Sequence, residues 1–342
     1  MANNICFERV FRVVLDHKTL KYIINLNLML MANLDNLFKQ FDNELNVLKT
    51  KKDNMISSRN HLRTKVKDYF SKNHKDYSPK FYIQGSYKLK TLIRTKEDTC
   101  DMDDGIYFKE NPDNVTGTTL QRWVKDAVDG TTDAIPLHKK KCIRVEYKAG
   151  YNIDLPVFVF DESTEKHPNL SVKDSAFQKD DPKEFVDYFK DNKTDQMVRI
   201  VKYLKSWCDY KRQDMPSGLA MTVLSLEHYQ ENVRDDISLK FTLIEIETSL
   251  KSNFKCIMPT TPKDDLFSDY SATKRDNFMN NLSLFIEDAK KAIDEKNKLK
   301  ASRHWKKHLG DRFPEGEDVD EEFSNNSKIE RIIGSSKPYY KC

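Results

Sequence analysis

The feature that most limits the possible folds is a change of periodicity along the chain. From residue 33 to 70 apolar residues follow three- and four-residue steps, which predicts one long or two stacked amphipathic helices. Strand-like runs follow in the middle of the chain, at 81–84, 102–108, 142–147 and 152–160. A tight turn at Ala149-Gly150 predicts that the last two form an antiparallel hairpin.

Helical patterns dominate the second half of the chain, most clearly at 185–207, 219–231 and 276–298. A further helix could begin at 87–94, after the first strand. The order of helix, strands and helices predicts an α+β fold with a mixed β-sheet and a C-terminal helical lobe.

We expect two lobes that share a cleft. Residues 31–180 would form the core with an N-terminal spine helix, and 181–314 the helical lobe, because a polar stretch containing Pro separates them. Residues 315–342 are acidic and then rich in Ser and Asn, which predicts a mobile tail with one short helix at 328–333. Residues 1–30 form either a native N-terminal helix or an extension from an over-called initiation codon, since the methionine that follows them resembles a natural start.

Composition excludes several classes of protein. The 342 residues include 58 basic and 54 acidic side chains, and a formal charge of +4 gives no reason to expect a broad nucleic-acid-coating surface. The six cysteines contain no close pair, which argues against a disulfide framework or a zinc site and favours a reducing cytoplasm. No stretch reaches the roughly 20 apolar residues of a membrane span, so no membrane association is expected.

Two aspartates separated by one residue are the first candidate for chemistry. On a strand, side chains alternate between faces, so Asp101 and Asp103 point the same way and Asp104 points oppositely. Parallel carboxylates repel unless a cation lies between them, and Mg²⁺ prefers such oxygen ligands. Alone, this pattern is common at charged strand edges.

Asp154 adds a third carboxylate, inside an otherwise apolar strand where an unpaired charge is costly. Its partner could be a metal ion, or a base such as Lys148 or Arg144. Gly85-Ser86 lies at a strand end, where a small residue lets backbone N–H groups approach a phosphate. Together these residues predict a phosphate-holding turn beside a metal site.

Three motifs carry a resemblance to one family: QGSY at 84–87, CDMDDGIYF at 100–108 and NIDLP at 152–156. They are similar to the signature of the cGAS/DncV-like nucleotidyltransferases, a branch of the polymerase-beta superfamily. The similarity is greatest to the bacterial members, the CD-NTases of anti-phage cyclic-oligonucleotide signalling operons, and it extends over about 31–314. The resemblance implies a polymerase-beta-like nucleotidyltransferase core in the bilobed fold.

The resemblance also implies roles for individual residues. Asp101, Asp103 and Asp154 would be catalytic and would hold two Mg²⁺ ions, with Mn²⁺ as an alternative. The nucleotide would contact the strand-end turn and the helical lobe through Gln84, Gly85, Ser86, Lys205 and Ser217.

Two departures from the family pattern matter. Residue 218 is Gly where cGAS-type enzymes carry a base-stacking Tyr, so base recognition must use other residues. The zinc ribbon of animal cGAS is missing, and with the near-neutral charge this makes a DNA activator unexpected. The bases, ring size and linkage of the product stay open.

The implied function is condensation of nucleoside triphosphates into a cyclic di- or trinucleotide messenger for anti-phage defence. A terminal nucleotidyltransferase acting on RNA or protein, or an inactive nucleotide-binding scaffold, is the alternative. Implied partners are a downstream effector, reached through the cyclic product, and ubiquitin-like conjugation machinery at the C-terminus.

Other motifs favour structural interpretations. His304 and His308 lie one helical turn apart, but with no carboxylate positioned beside them an exposed helix face is expected. The lysines at 139–141 are expected to be solvated, and Tyr87 and Tyr107 to pack rather than stack on a base.

Overall fold

The structure, a computed structural model, describes residues 31–321. Within them the fold is α+β, with a mixed sheet followed by a helical lobe, as predicted. The predictions made for 1–30, and those for the tail from residue 322 onward, fall outside this described part of the chain.

From residue 31 onward, two helices precede the sheet. Helix α1 (Asp35–Leu45) and helix α2 (Lys49–Asn73) are separated by a short extended link. The apolar stripe of α1 packs into the core of the helical lobe, whereas the stripe of α2 packs beneath the sheet. The spine predicted for 33–70 is therefore divided between two hydrophobic cores.

The sheet is built around one central strand. Strand β1 (Lys80–Gln84) leads through a single-turn helix α3 (Gly85–Lys88) to the central β2 (Cys100–Phe108), with which it pairs antiparallel. Helix α4 (Gly117–Val128) then covers one face. The remaining strands are β3 (Leu137–His138), β4 (Ile143–Tyr147), β5 (Tyr151–Leu155), β6 (Val157–Val159), β7 (Asn169–Leu170) and β8 (Gln178–Lys179).

Strands β5 and β6 run parallel to the two halves of β2, on the side away from β1. Strands β4 and β5 form the predicted antiparallel hairpin, with Gly150 at a positive φ of 77° in its turn. The predicted strand 152–160 is interrupted at Pro156, because proline lacks the N–H that a sheet ladder requires.

The helical lobe, residues 181–314, contains six helices. They are α5 (Pro182–Asn192), α6 (Asp195–Lys211), α7 (Gly218–His228), α8 (Asp235–Ser252), α9 (Ala272–Asp294) and α10 (Lys298–Leu309). The single helix predicted at 185–207 is wrong, since α5 ends at Asn192 and Thr194 caps α6 by accepting a hydrogen bond from Met197 N.

Two further predictions of helix extent are wrong. The helix expected at 87–94 is the single turn of α3, after which 89–99 forms a loop along the cleft. The helix expected at 276–298 runs from Ala272 to Asp294. Among residues 31–321, no helix is both long and apolar enough to cross a membrane.

Candidate active site

The sheet register brings the three predicted acids together. Asp103 and Asp154 are direct partners across the parallel β2–β5 pair, and Asp101 lies two residues earlier on the same face of β2. Gln84 is the partner of Asp103 on the opposite strand, so the turn at Gly85 begins beside the acids. The arrangement follows directly from strand pairing.

Asp104 points to the other face, as alternation predicts. Its side chain is fully buried, and Arg63 of α2 pairs with it through a 2.7 Å hydrogen bond from Nε. This acid therefore joins α2 to the sheet and takes no part in the cleft.

Excess negative charge concentrates at Asp103. Burial, followed by the neighbouring carboxylates of Asp154 and Asp101, raises its pKa to about 7. Like charges held this close favour binding of a cation, which would oppose each of these effects.

Arg144 is the cation that the protein itself supplies. It stands opposite Asp154 on the β4–β5 hairpin and donates two hydrogen bonds of 2.7 Å to that carboxylate. Its Nη2 also lies 3.1 Å from Asp101 Oδ2. The salt bridge considered for Asp154 is thus present, and Arg144 rather than Lys148 provides it.

Two features require a glycine at position 85: the backbone conformation and the close approach of Asp103. Its φ of +62° lies in the left-handed region, and a Cβ placed there would overlap Oδ2 of Asp103 and lie 2.8 Å from its Cγ. The absence of a side chain lets the turn approach the acid closely. Gln84 is held from behind, where the Tyr107 hydroxyl donates to its Oε1 at 3.3 Å.

Lys205 extends from the helical lobe to the same cleft. From α6 its Nζ donates to the Thr91 carbonyl at 2.8 Å, and burial lowers its pKa to about 8 despite the nearby Asp103 and Asp101.

The start of α7 lies next to this lysine. Ser217 caps α7 by accepting from Ala220 N at 3.2 Å. A side chain at Gly218 would lie 2.9 Å from Lys205 Cε, so the missing tyrosine leaves room for this lysine.

A cavity of about 770 Å³ unites these groups between the sheet edge and the helical lobe. The acids, the turn and Lys205 line it; of the predicted site residues, Ser217 alone does not, although Pro216 and Gly218 do. The size suits a nucleotide-sized ligand.

The sequence prediction missed several lining residues and left open which base would pair with Asp154. The unpredicted lining includes Asp180, Phe185, Asp209, Arg212, Thr222 and Met258. Counting residues outward from the hairpin turn would have placed Arg144 opposite Asp154. No comparable signal identifies Asp180, because its position depends on how a polar segment returns to the cleft.

The structural interpretations of the remaining motifs have different outcomes. Tyr107 packs as predicted, with its ring stacked on Phe158 at 4.6 Å. The exposed helix face predicted for His304 and His308 is wrong, because both bond the Asp288 carboxylate of α9, and His308 is only 4% exposed. The sequence could not reveal a carboxylate contributed by another helix.

Comparison with known proteins agrees with this site. Residues 79–158 match the family model of the nucleotidyltransferase domain of DncV-like cyclic GMP-AMP synthases. A cyclic GMP-AMP synthase from Escherichia albertii is 29% identical over 211 residues, a match that covers 56% of this chain and 45% of that protein. The matched part is thus less than half of that relative.

Solved structures show the same fold. Vibrio cholerae DncV, a cyclic AMP-GMP synthase, superposes with a TM-score of 0.69 at 17% identity, over 82% of this chain and 97% of that one. Escherichia coli DncV in its 3′-deoxy GTP-bound form gives 0.67 at 18% identity, over 84% and 97%. The molecule therefore has the DncV nucleotidyltransferase fold. Residues 79–158 thus match the DncV-like nucleotidyltransferase domain, and the described chain is similar in fold to the cGAS/DncV-like nucleotidyltransferases.

Proposed function

We propose that this protein condenses nucleoside triphosphates into a cyclic di- or trinucleotide messenger. The observation that carries the proposal is the meeting of Asp101, Asp103 and Asp154 with the Gly85 turn and Lys205 around one nucleotide-sized cavity. The Escherichia albertii relative is a cyclic GMP-AMP synthase, which favours ATP and GTP as substrates here.

The acids fit a divalent metal site, since three carboxylates face one another and the protein already places a cation, Arg144, among them. We propose that Asp101 and Asp103 hold two Mg²⁺ or Mn²⁺ ions and that Asp154 ligates the second. When bound, such ions lower the pKa of an attacking ribose hydroxyl and neutralise triphosphate charge.

The chain's own residues would orient the donor nucleotide. The Gly85 backbone and the Ser86 hydroxyl lie beside the acids and can donate to phosphate oxygens, with Gln84 beside them. Lys205 faces the same space from the helical lobe and supplies a compact positive charge that burial has already separated from bulk water. Ser217 would assist from the start of α7.

Cyclisation requires two condensations in one cleft. Vibrio cholerae DncV has been solved with the linear intermediate 5′-pppA(3′,5′)pG. We propose the same course here, in which the linear product turns so that its own triphosphate becomes the donor. An anti-phage role in the cytoplasm, a downstream effector and conjugation of the C-terminus complete the proposal and rest on the family resemblance.

Product analysis tests the enzymatic proposal. Purified protein is incubated with Mg²⁺ or Mn²⁺ and all four labelled nucleoside triphosphates, and phosphatase-resistant small products are expected. The double variant Asp101→Ala/Asp103→Ala should lose at least about 1,000-fold in rate, the scale expected when electrostatic transition-state stabilisation is removed. Its melting temperature should not fall, because the change removes mutually repelling carboxylates.

Asp133→Ala is the matched control, since within the described residues 31–321 this exposed acid pairs only with Lys148, at the surface. It should retain full activity. Undiminished product from the double variant would contradict the site assignment. Growth of a labelled RNA or labelling of a protein would favour a terminal transferase, and no turnover under any condition would favour the scaffold.

A further inference from the structure

Two carboxylates of the cavity make no hydrogen bond or ion pair within residues 31–321: Asp103, a proposed metal ligand, and Asp180. Asp101, Asp154, Asp181 and Asp209 line the same cavity and each accepts hydrogen bonds from the protein. Within residues 31–321, the side chain of Asp180 makes neither a hydrogen bond nor an ion pair, although it too lines the cavity. It is therefore a free acceptor facing the space where substrate would lie.

The backbone around Asp180 is held on both sides. Strand β8 ends immediately before it, and its own N–H donates to the Pro168 carbonyl at 3.2 Å. The next residue, Asp181, caps helix α5 by accepting from Glu184 N at 3.0 Å. The backbone of Asp180 is therefore fixed at the wall of the cavity.

Partial burial of the Asp180 carboxylate costs desolvation free energy that no hydrogen bond from residues 31–321 offsets. Burial raises the pKa of Asp180 to about 6; Lys141 opposes this rise, and Asp264 and Asp181 add to it. The carboxylate is thus ionised at neutral pH but lacks the donors that normally accompany a buried charge. Donors from a ligand would supply that compensation.

Resting on the proposed function, we propose that Asp180 recognises the Watson–Crick edge of a guanine base. Guanine presents N1–H and an N2 amino group side by side, which match the two oxygens of one carboxylate. Adenine and cytosine present one donor beside an acceptor that would face a carboxylate oxygen, and uracil presents a single donor. Phe185 and Met258, which line the same cavity, offer apolar surface for the faces of the base.

Nucleotide analogues test this assignment atom by atom. Binding of GTP, ITP and XTP to the full-length protein in Mg²⁺ is measured by calorimetry, so that the readout does not depend on turnover. ITP lacks the N2 amino group and should bind about tenfold more weakly than GTP, and XTP, with a carbonyl there, more weakly still. The Asp180→Asn variant should lose about 10- to 100-fold for GTP and gain for XTP, because its amide can donate to that carbonyl.

In Asp180→Asn, weaker binding of GTP together with tighter binding of XTP separates base recognition from a purely structural role. Loss of a purely structural role would weaken the binding of all three nucleotides alike. Asp264→Asn is the matched control: it removes an equivalent charge near Asp180 from an exposed position and should leave the GTP to ITP ratio unchanged. An unaltered ratio in Asp180→Asn, or a uniform loss, would overturn the assignment.

Failure of this inference is distinguishable from failure of the proposed function. If the wild-type protein forms cyclic product yet binds GTP and ITP equally, the enzyme proposal stands and the role of Asp180 falls. If it forms no product but prefers GTP over ITP through Asp180, the role of Asp180 stands and the enzyme proposal falls.

Discussion

At the scale of single residues, Asp154 shows how one position can satisfy two interpretations. Its carboxylate forms a bidentate ion pair with Arg144, which is the structural explanation for an acid in an apolar strand. The same carboxylate faces Asp103, whose pKa is raised first by burial and then by the charges of Asp154 and Asp101. Binding of a metal ion there would compete with Arg144 for Asp154.

Gly85 permits the sharpest test at this scale. In Gly85→Ala the new methyl group would both occupy a left-handed backbone and overlap the Asp103 carboxylate. We expect a loss of roughly 2–3 kcal/mol in the free energy of unfolding, from backbone strain and steric displacement together. Because the displaced group is a proposed catalytic acid, activity should fall at least about 100-fold. Chemical denaturation and product analysis measure the two effects.

Gly130→Ala separates the two contributions. Gly130 has a similar φ of +65°, but a Cβ there would meet nothing within 4 Å. This control should cost about 1 kcal/mol of stability from the backbone alone and leave activity intact. Equal losses of activity in both variants would show that contact with Asp103 is not what makes Gly85 necessary.

The acids could be placed from sequence because strands impose simple rules. Alternation puts Asp101 and Asp103 on one face, and the hairpin turn sets the partners of Asp154. Asp180 follows no such rule, since it lies between a two-residue strand and a helix start. Its position depends on long-range packing that local periodicity does not encode.

At the scale of secondary-structure elements, one carboxylate links α9 to α10 beside their apolar packing. Asp288 of α9 bonds three side chains of α10: His304 at 2.9 Å, Lys307 at 3.0 Å and His308 at 3.0 Å. The ring of His308 also stacks on Phe285 at 4.5 Å. The histidine spacing resembled a metal pair, but here it joins two helices.

This contact predicts a loss of stability in acid. Burial lowers the pKa of His308 from 6.5 to about 4, so between these values the unfolded chain binds a proton that the folded protein excludes. The stabilisation is therefore complete above pH 6.5 and is lost as pH falls toward 4. Between pH 7 and 4.5 the free energy of unfolding should fall by roughly 2 kcal/mol through this group.

Urea denaturation of the wild type and of His308→Gln at several pH values measures that contribution. The variant should show a shallower pH dependence over this interval, by about the same 2 kcal/mol. His61→Gln, on the exposed side of α2, should retain the wild-type dependence. Parallel curves for wild type and His308→Gln would show that His308 does not carry the effect.

At the scale of the whole molecule, the lobes are joined through segments distant in sequence. The start of α1 belongs to the helical lobe: Asp235 N donates to Asp35 Oδ1 at 2.8 Å, and Arg234 donates to the Ala32 carbonyl at 2.7 Å. Tyr203 of α6 donates to the Phe38 carbonyl at 2.9 Å. The residues that these hydrogen bonds join lie about 165–200 positions apart in the sequence. Helical periodicity reports only local contacts, which is why it grouped the α1 segment with the sheet.

Arg312 links the loop before β2 to helix α6. One arm of its guanidinium donates to the Arg94 carbonyl at 2.7 Å, and the other reaches Ser206 Oγ at 3.2 Å and Asp209 at 3.5 Å. The loop at Arg94 and Thr95 leads into the strand that carries Asp101 and Asp103, the proposed catalytic acids. A single planar side chain thus holds the sheet's loop against helix α6.

Arg312→Lys tests whether this connection sets the width of the cavity. Lysine keeps the charge but cannot bridge both sides, so the free energy of unfolding should fall by about 1–2 kcal/mol. Thr95 and Asp209 both line the cavity, so kcat/KM should fall about tenfold, mainly through a higher KM. Arg303→Lys, at an exposed pair with Glu315, should change neither quantity. A loss of stability without a change in KM would mean that Arg312 supports the fold while the lobes hold their spacing through other contacts, such as the Lys96 N–H bond to Asp209 at 2.6 Å.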